Sequence, residues 1–276
     1  MVAAMAAFAI EDAFLKAAGQ HLPVAQILML FGGGGALIFA ALARRYDQPL
    51  APPDVLSRPM LIRVVFEVAG RLFYLLAIVL TPLSSATVIL QAAPLVVVAG
   101  AAVIFGEKVG VRRWAAIFIG LLGVVVIIQP GAESFTPLSV LAVLGMLGFA
   151  GRDLASRAAP ATLSTHVLGL YGFLSIILAG ALYMAWEDRP FATPDAFSGA
   201  MVAGAVLAGV TAYGALMKAM RTGEVSAVTP FRYTRLLFGI ALGVLIFDES
   251  LSVATLIGCG LIVLAGLFIL WRRPAV

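Results

Sequence analysis

Ten apolar runs, each closed by proline, glycine or charge, follow one another with little polar sequence between them, and that succession limits what the chain can become. They cover roughly residues 1–18, 22–43, 60–80, 84–105, 112–129, 137–158, 163–186, 196–219, 225–247 and 252–271. Runs of about 17 to 25 apolar residues match the length a helix needs to cross a hydrocarbon core, whereas a barrel would show alternating segments of about ten. Hydrophobic residues make up 62% of the chain and charged ones 12%, with a mean hydropathy of +1.08. Such a balance is foreign to a soluble domain. The longest polar connections, Arg44 to Pro59 and Trp186 to Asp195, are too short to hold a second domain. The expected fold class is an all-α integral membrane protein with ten transmembrane helices.

Charges inside these runs occur in a repeated pattern. The stretch Phe8-Ala9-Ile10-Glu11-Asp12-Ala13-Phe14-Leu15-Lys16 is echoed by Phe149-Ala150-Gly151-Arg152-Asp153-Leu154-Ala155-Ser156-Arg157, 141 positions later. The shift superposes Phe8 on Phe149, Asp12 on Asp153 and Lys16 on Arg157. Acid and base are four apart in each copy, so each helix can hold its own ion pair on one face. The echo continues with Ser85-Ala86 on Ser226-Ala227 and, after one inserted residue, Phe105-x-Glu107 on Phe247-x-Glu249. The chain is therefore expected to be a duplication of five helices, residues 1–131 and 132–276. Because five is odd, the second copy enters the membrane from the opposite side, giving an inverted repeat. The second copy's first helix starts near Pro137, which maps about five residues before Met1, so the first helix is expected to be short at its start. No cleavable signal peptide is expected, since Glu11, Asp12 and Lys16 interrupt the apolar stretch.

Orientation follows from bases near the loops. With the N-terminus in the cytoplasm, Arg44, Arg45, Arg58, Arg63, Lys108, Arg112, Arg113, Arg157, Lys218, Arg221, Arg272 and Arg273 fall on the inner side and only Arg189 on the outer. That bias places both termini in the cytoplasm and the protein in the cytoplasmic membrane.

The remaining bases, Lys16, Arg71, Arg152, Arg232 and Arg235, lie inside spans with Glu11, Asp12, Glu67 and Asp153. An ionisable group at membrane depth costs at least about 2.5 kcal/mol unless it is paired or wetted, so these side chains imply a polar interior cavity. In the third span Arg63, Glu67 and Arg71 stand at four-residue spacing, with Tyr74 on the same face. One carboxylate cannot fill two guanidinium forks, which leaves Arg71 to bind an anionic group. In the ninth span Pro230 loosens the helix next to Arg232, Tyr233 and Arg235, and Arg232 and Arg235 share a face. Gly239-x-x-x-Gly243 allows close helix packing. The fourth span answers with Ser84, Thr87 and Gln91 on one polar face, followed by Pro94.

The net charge of +4 comes with no exposed basic stripe, so nucleic acid is not a partner. Cys259, the one cysteine, cannot form an internal disulfide. His21 and His166 fall in topologically distant places, and no G-x-S-x-G, H-E-x-x-H or Cys/His cluster occurs. Neither a metal nor a cofactor is expected. The four consecutive glycines Gly32 to Gly35 lie within a span without a following Lys-Ser/Thr and are a packing surface, not a phosphate loop.

The inverted five-helix duplication, with Phe-Gly-Glu at 105–107 and Phe-Asp-Glu-x-Leu-Ser at 247–252 opening the last helix of each half, resembles the EamA-type branch of the drug/metabolite transporter superfamily. The resemblance covers nearly the whole chain. It implies a secondary transporter with a central basket between the halves, alternately open to each side. The charges at Arg63, Glu67, Arg71, Arg232 and Arg235 depart from the simplest pattern of that family and favour an anionic or zwitterionic metabolite as substrate. The expected substrate contacts are Arg71, Tyr74, Gln91, Arg152, Arg232, Tyr233 and Arg235. Glu11, Asp12, Lys16, Glu67, Asp153 and Arg157 are expected to form ion pairs or couple transport to a proton. The chain is expected to work in the bilayer as a monomer or homodimer. Two alternatives differ in class: a carrier of cationic or aromatic compounds using Glu11, Asp12 and Glu67 as counter-ions, and a lipid-modifying enzyme, which would need a catalytic His or Cys in the cavity.

Overall fold

The computed structural model describes residues 1–106, 109–129, 137–160, 162–187, 189–222 and 229–271. Among them the only regular structure is helical. The α-helices are α1 (Val2–Ala18), α2 (Val24–Arg45), α3 (Arg58–Leu80), α4 (Leu83–Leu90), α5 (Ala93–Phe105), α6 (Val111–Ile128), α7 (Ser139–Arg157), α8 (Thr165–Met184), α9 (Ala196–Thr222), α10 (Thr234–Phe247) and α11 (Val253–Trp271). Short 3-10 turns occupy Pro53–Leu56 and Thr229–Tyr233. Ten spans result when α4 and α5 count as one and the second 3-10 turn is joined to α10.

Five stretches are long and apolar enough to cross a membrane by length and composition: Val24–Arg45, Leu83–Phe105, Ser139–Ser156, Thr165–Met184 and Ala196–Leu216. Trp114–Ile128 and Val253–Phe268 are apolar but shorter. The spans that fall short are those with interior charges or a break. α1 carries Glu11, Asp12 and Lys16, α3 carries Arg63, Glu67 and Arg71, and α10 begins only after the 3-10 turn.

The fourth and ninth spans are both interrupted, the ninth beside Pro230 where a loosened helix was expected and the fourth where a continuous one was. Pro94 has no backbone N–H to give to the carbonyl four residues back, and the amides of Gln91 and Ala92 reach back only three residues, to Val88 and Ile89 at 3.1 Å each. The Thr229–Tyr233 turn is the equivalent break in the second half. Gln91 and Arg232, one at each break, stand 141 residues apart, and Gln91 Nε2 donates to the Arg232 carbonyl at 3.0 Å. The two broken spans thus touch at equivalent residues. The residues after Phe105 and Phe247 are equivalent too: Gly106 (φ 67°) and Asp248 (φ 51°) both adopt the left-handed conformation that ends a helix, a position open to Gly and tolerable for Asp. Glu107, Ser226, Ala227 and the side chain of Arg157, which the sequence echo also involves, lie outside the described residues.

Helix pairing reproduces the duplication. α3 lies along α7, α1 along α9, α2 along α8 and α6 along α11. Since α7 is the mate of α1 and α9 the mate of α3, the first two pairs are one contact made twice, while α2–α8 and α6–α11 pack mates against each other. An inverted repeat about a two-fold axis has this pattern. The α3–α7 approach is the closest in backbone terms, because a Cβ on Gly148 would lie 2.4 Å from the Gly70 backbone. That contact brings the charged faces of the two helices together.

Candidate functional site

The interior charges form two neighbouring clusters. Nearer the α1–α2 end, Arg71 Nη1 donates to Glu11 Oε1 at 2.6 Å, joining α3 to α1. Arg235 Nη2, from α10, donates to Asp12 Oδ2 at 2.6 Å, and the Tyr74 hydroxyl donates to the same oxygen at 3.1 Å. Glu11 and Asp12 are 1% and 0% exposed. Aromatic rings flank both arginines: Arg71 lies 5.2 Å from the Phe31 ring and 5.7 Å from Phe149, and Arg235 lies 5.1 Å from Phe8 and 5.7 Å from Tyr74.

The second cluster lies toward the α2–α3 and α7–α8 connections. Glu67 sits 3.5 Å from Arg63 and 3.3 Å from Arg152. Arg152 Nε and Nη2 both donate to Asp153 Oδ1, at 3.0 and 2.8 Å, and Arg232 Nη2 donates to Asp153 Oδ2 at 3.5 Å. Arg63 Nε also donates to Ser156 Oγ at 3.1 Å. Arg152 is 4.8 Å from the Phe149 ring, so both members of the repeated phenylalanine pair, Phe8 and Phe149, serve as arginine platforms.

Several expected pairings are overturned. Asp12 does not pair with Lys16 along α1. Lys16 lies at the helix end, where it reaches the Ile78 and Thr81 carbonyls at 2.9 and 2.7 Å and Glu249 at 3.5 Å, while Asp12 is taken by Arg235. Arg71 is not left without a carboxylate, because α1 supplies Glu11, and the second fork at Glu67 comes from Arg152 across the α3–α7 approach. Arg232 and Arg235 do not act as a pair, since the 3-10 turn leads into α10 between them and each takes a different aspartate. Arg63, counted among the inner loop bases, is buried in the second cluster. Ser84, Thr87 and Gln91 are all buried, and Gln91 spends an amide hydrogen on the helix-to-helix bond to Arg232. Tyr233 is buried against Gly266. The sequence reading missed Phe31, which carries no motif signal of its own, and it missed Glu249 as a partner of Lys16, although Glu249 stands in the repeated Phe-x-Glu motif.

The pairing leaves work undone. Glu11 Oε2, Asp12 Oδ1, Arg71 Nε, Arg235 Nε, Thr87 Oγ1 and the Tyr233 hydroxyl are buried and have no hydrogen-bond partner among the described residues. Each such group costs about 1–3 kcal/mol, more when charged, until something fills it. Among the described residues of the two clusters, five guanidiniums (Arg63, Arg71, Arg152, Arg232, Arg235) face four carboxylates (Glu11, Asp12, Glu67, Asp153), an excess of one positive charge. The interior therefore presents unfilled donors and acceptors with a cationic surplus. Among the described residues no group of His, Cys, Asp and Glu fits a metal ion.

Known proteins place the chain in a family. The EamA-like transporter family matches the chain twice, over residues 1–129 and 137–271. A pseudopaline exporter of Pseudomonas aeruginosa is 28% identical over 266 residues, 94% of this chain and 90% of its own length. An S-adenosylmethionine uptake transporter of Rickettsia conorii is 25% identical over 219 residues, 79% of this chain and 74% of its own. A riboflavin transporter of Vibrio cholerae is 27% identical over 215 residues, 76% and 70% of the two chains. One crystal structure superposes with a TM-score of 0.64 at 21% identity, covering 96% of both chains, which shows a shared fold. With its inverted repeat of two five-helix halves and ten transmembrane helices, this chain belongs to the EamA-like transporter family, among the drug/metabolite transporters.

Proposed function

We propose that this protein is a secondary transporter of the cytoplasmic membrane that moves a small anionic or zwitterionic organic metabolite by alternating access. The observation that carries the proposal is, among the described residues, the interior set of five guanidiniums against four carboxylates, with Arg71 Nε and Arg235 Nε buried and unpaired. A substrate carboxylate supplies the missing acceptor and offsets the surplus charge. A substrate amine finds acceptors in Glu11 Oε2 and Asp12 Oδ1. In this reading Arg71, Tyr74, Gln91, Arg152, Arg232, Tyr233 and Arg235 line the substrate path, and Glu11, Asp12, Lys16, Glu67, Asp153 and Arg157 set its ion-pair state. The halves 1–131 and 132–276 rock against each other about the axis where Gln91 meets Arg232, with both termini on the cytoplasmic side. The relatives named above are described as carrying small organic metabolites, in either direction, which fits a charged basket of this kind.

The test is uptake into vesicles holding the purified full chain, using labelled metabolites grouped as carboxylates, zwitterions, cations and neutral aromatics. Saturable accumulation of carboxylate-bearing compounds is expected. Accumulation confined to cations or neutral aromatics overturns the anion site and makes Glu11, Asp12 and Glu67 the counter-ions of a cation carrier instead.

A further inference from the structure

The two ends of the interior are closed to different degrees. Toward the α2–α3 and α7–α8 connections, the side chains of Asp153 and Arg232 are 26% and 32% exposed, whereas at the α1–α2 end Lys16 and Glu249 are 12% and 8% exposed. Four elements meet at Glu249. The left-handed Asp248 ends α10 and turns the chain back, so that Glu249 N donates to the Gly243 carbonyl at 3.1 Å. The Glu249 carboxylate then lies over Gly243, where a Cβ would stand 2.5 Å from Oε2. From there Oε1 accepts the Leu83 amide at 2.5 Å and Oε2 the Ser84 amide at 2.9 Å, the first two amides of α4. Lys16 Nζ stands 3.5 Å from Oε1 and 5.3 Å from the Phe247 ring, while donating to the Ile78 and Thr81 carbonyls at the end of α3.

Each half of this contact is matched in charge. A carboxylate meets the free amides of a helix start, and an ammonium meets the free carbonyls of a helix end. The carboxylate ties α4 and, through Lys16, α1 to the α10–α11 turn of the second half, and the ammonium extends the tie to the end of α3. We propose that Lys16 and Glu249 are the closing residues of the transport path at the α1–α2 end: Glu249 is at once the cap of α4 and the counter-ion of Lys16, and both contacts break when that end opens. The inference rests on the alternating-access reading above, but its test needs no substrate.

The full chain is prepared with Cys259→Ser and a single reporter, Ser84→Cys, next to the cap, and reconstituted in vesicles. The rate at which a membrane-impermeant maleimide labels the reporter from the α1–α2 side is measured. Lys16→Met and Glu249→Gln are each expected to raise that rate roughly tenfold or more, the shift expected when one state alone loses a charge-assisted contact. Exchanging the charges, Lys16→Glu with Glu249→Lys, separates a cap from a plain ion pair. An ammonium aimed at the Leu83 and Ser84 amides cannot cap α4, so labelling stays fast. Unchanged labelling in both single variants, or slow labelling restored by the exchange, overturns the proposal. Lys16→Met leaves the cap intact and carries the test if Glu249→Gln does not fold. Because the labelling is independent of transport, its failure and failure of the anionic-substrate reading are separate results.

Discussion

Under the proposed function a buried arginine has two jobs, and single substitutions mix them. Arg71 neutralises Glu11 through Nη1 while its Nε is left over, and Arg235 does the same for Asp12. Removing either base strands a buried carboxylate, a loss of roughly 3–5 kcal/mol of stability. Arg71→Ala alone should therefore lower the melting temperature as well as transport. The double variant Glu11→Gln/Arg71→Gln removes both charges and should recover most of the stability without recovering uptake. Losing the arginine contact to a substrate carboxylate costs about 1.5–3 kcal/mol, or roughly ten- to more than a hundredfold in affinity. Melting in detergent and uptake in vesicles check the two halves of this expectation. If the double variant transports like the parent, Arg71 is a structural residue only.

At the scale of elements, function depends on how closely α3 and α7 approach. These helices carry five of the nine charged groups in the clusters: Arg63, Glu67, Arg71, Arg152 and Asp153. Their spacing is set by the backbone-to-backbone contact of Gly148 and Gly70. A Gly148→Ala methyl meets backbone rather than a side chain that can turn away, so the helices must part. Overpacking of this kind costs about 1–3 kcal/mol. Uptake should fall further than stability, because the Glu67–Arg152 and Glu11–Arg71 distances change together. Gly33→Ala, whose new methyl meets nothing within 4 Å, should leave both unchanged. Comparable losses in the two variants would show that the α3–α7 spacing is not what matters.

For the whole molecule, inversion gives Asp12 and Asp153 equivalent places in oppositely oriented halves. Their surroundings differ in this structure: Asp12 is sealed with Arg235 and Tyr74, whereas the Asp153 side chain is 26% exposed. A carboxylate whose access to water alternates between the two sides is suited to take up and release a proton. With an imposed pH gradient, Asp12→Asn or Asp153→Asn should abolish gradient-driven accumulation while substrate exchange persists. Equal accumulation by the parent and both variants would leave the two aspartates as assembly residues.

How much of this the sequence determined depends on range. Apolar run length fixed the ten spans, because lipid leaves the backbone no alternative to helix. The 141-residue echo fixed the inverted halves, and Pro230 marked the break in the ninth span, whereas the break before Pro94 was not expected. The presence of charge inside spans was enough to require a polar interior. Partners were another matter. Pairing the acid with the base one turn away on its own helix gave the wrong partner for Asp12, and spacing along α3 left Arg71 without one; their partners lie 223 and 60 residues distant. Four-residue spacing makes an intrahelical pair possible without excluding a better one. Which pair forms is decided by which helices approach closely enough to bring a second guanidinium within reach, and that was set by the α3–α7 and α1–α10 packing of the folded bundle.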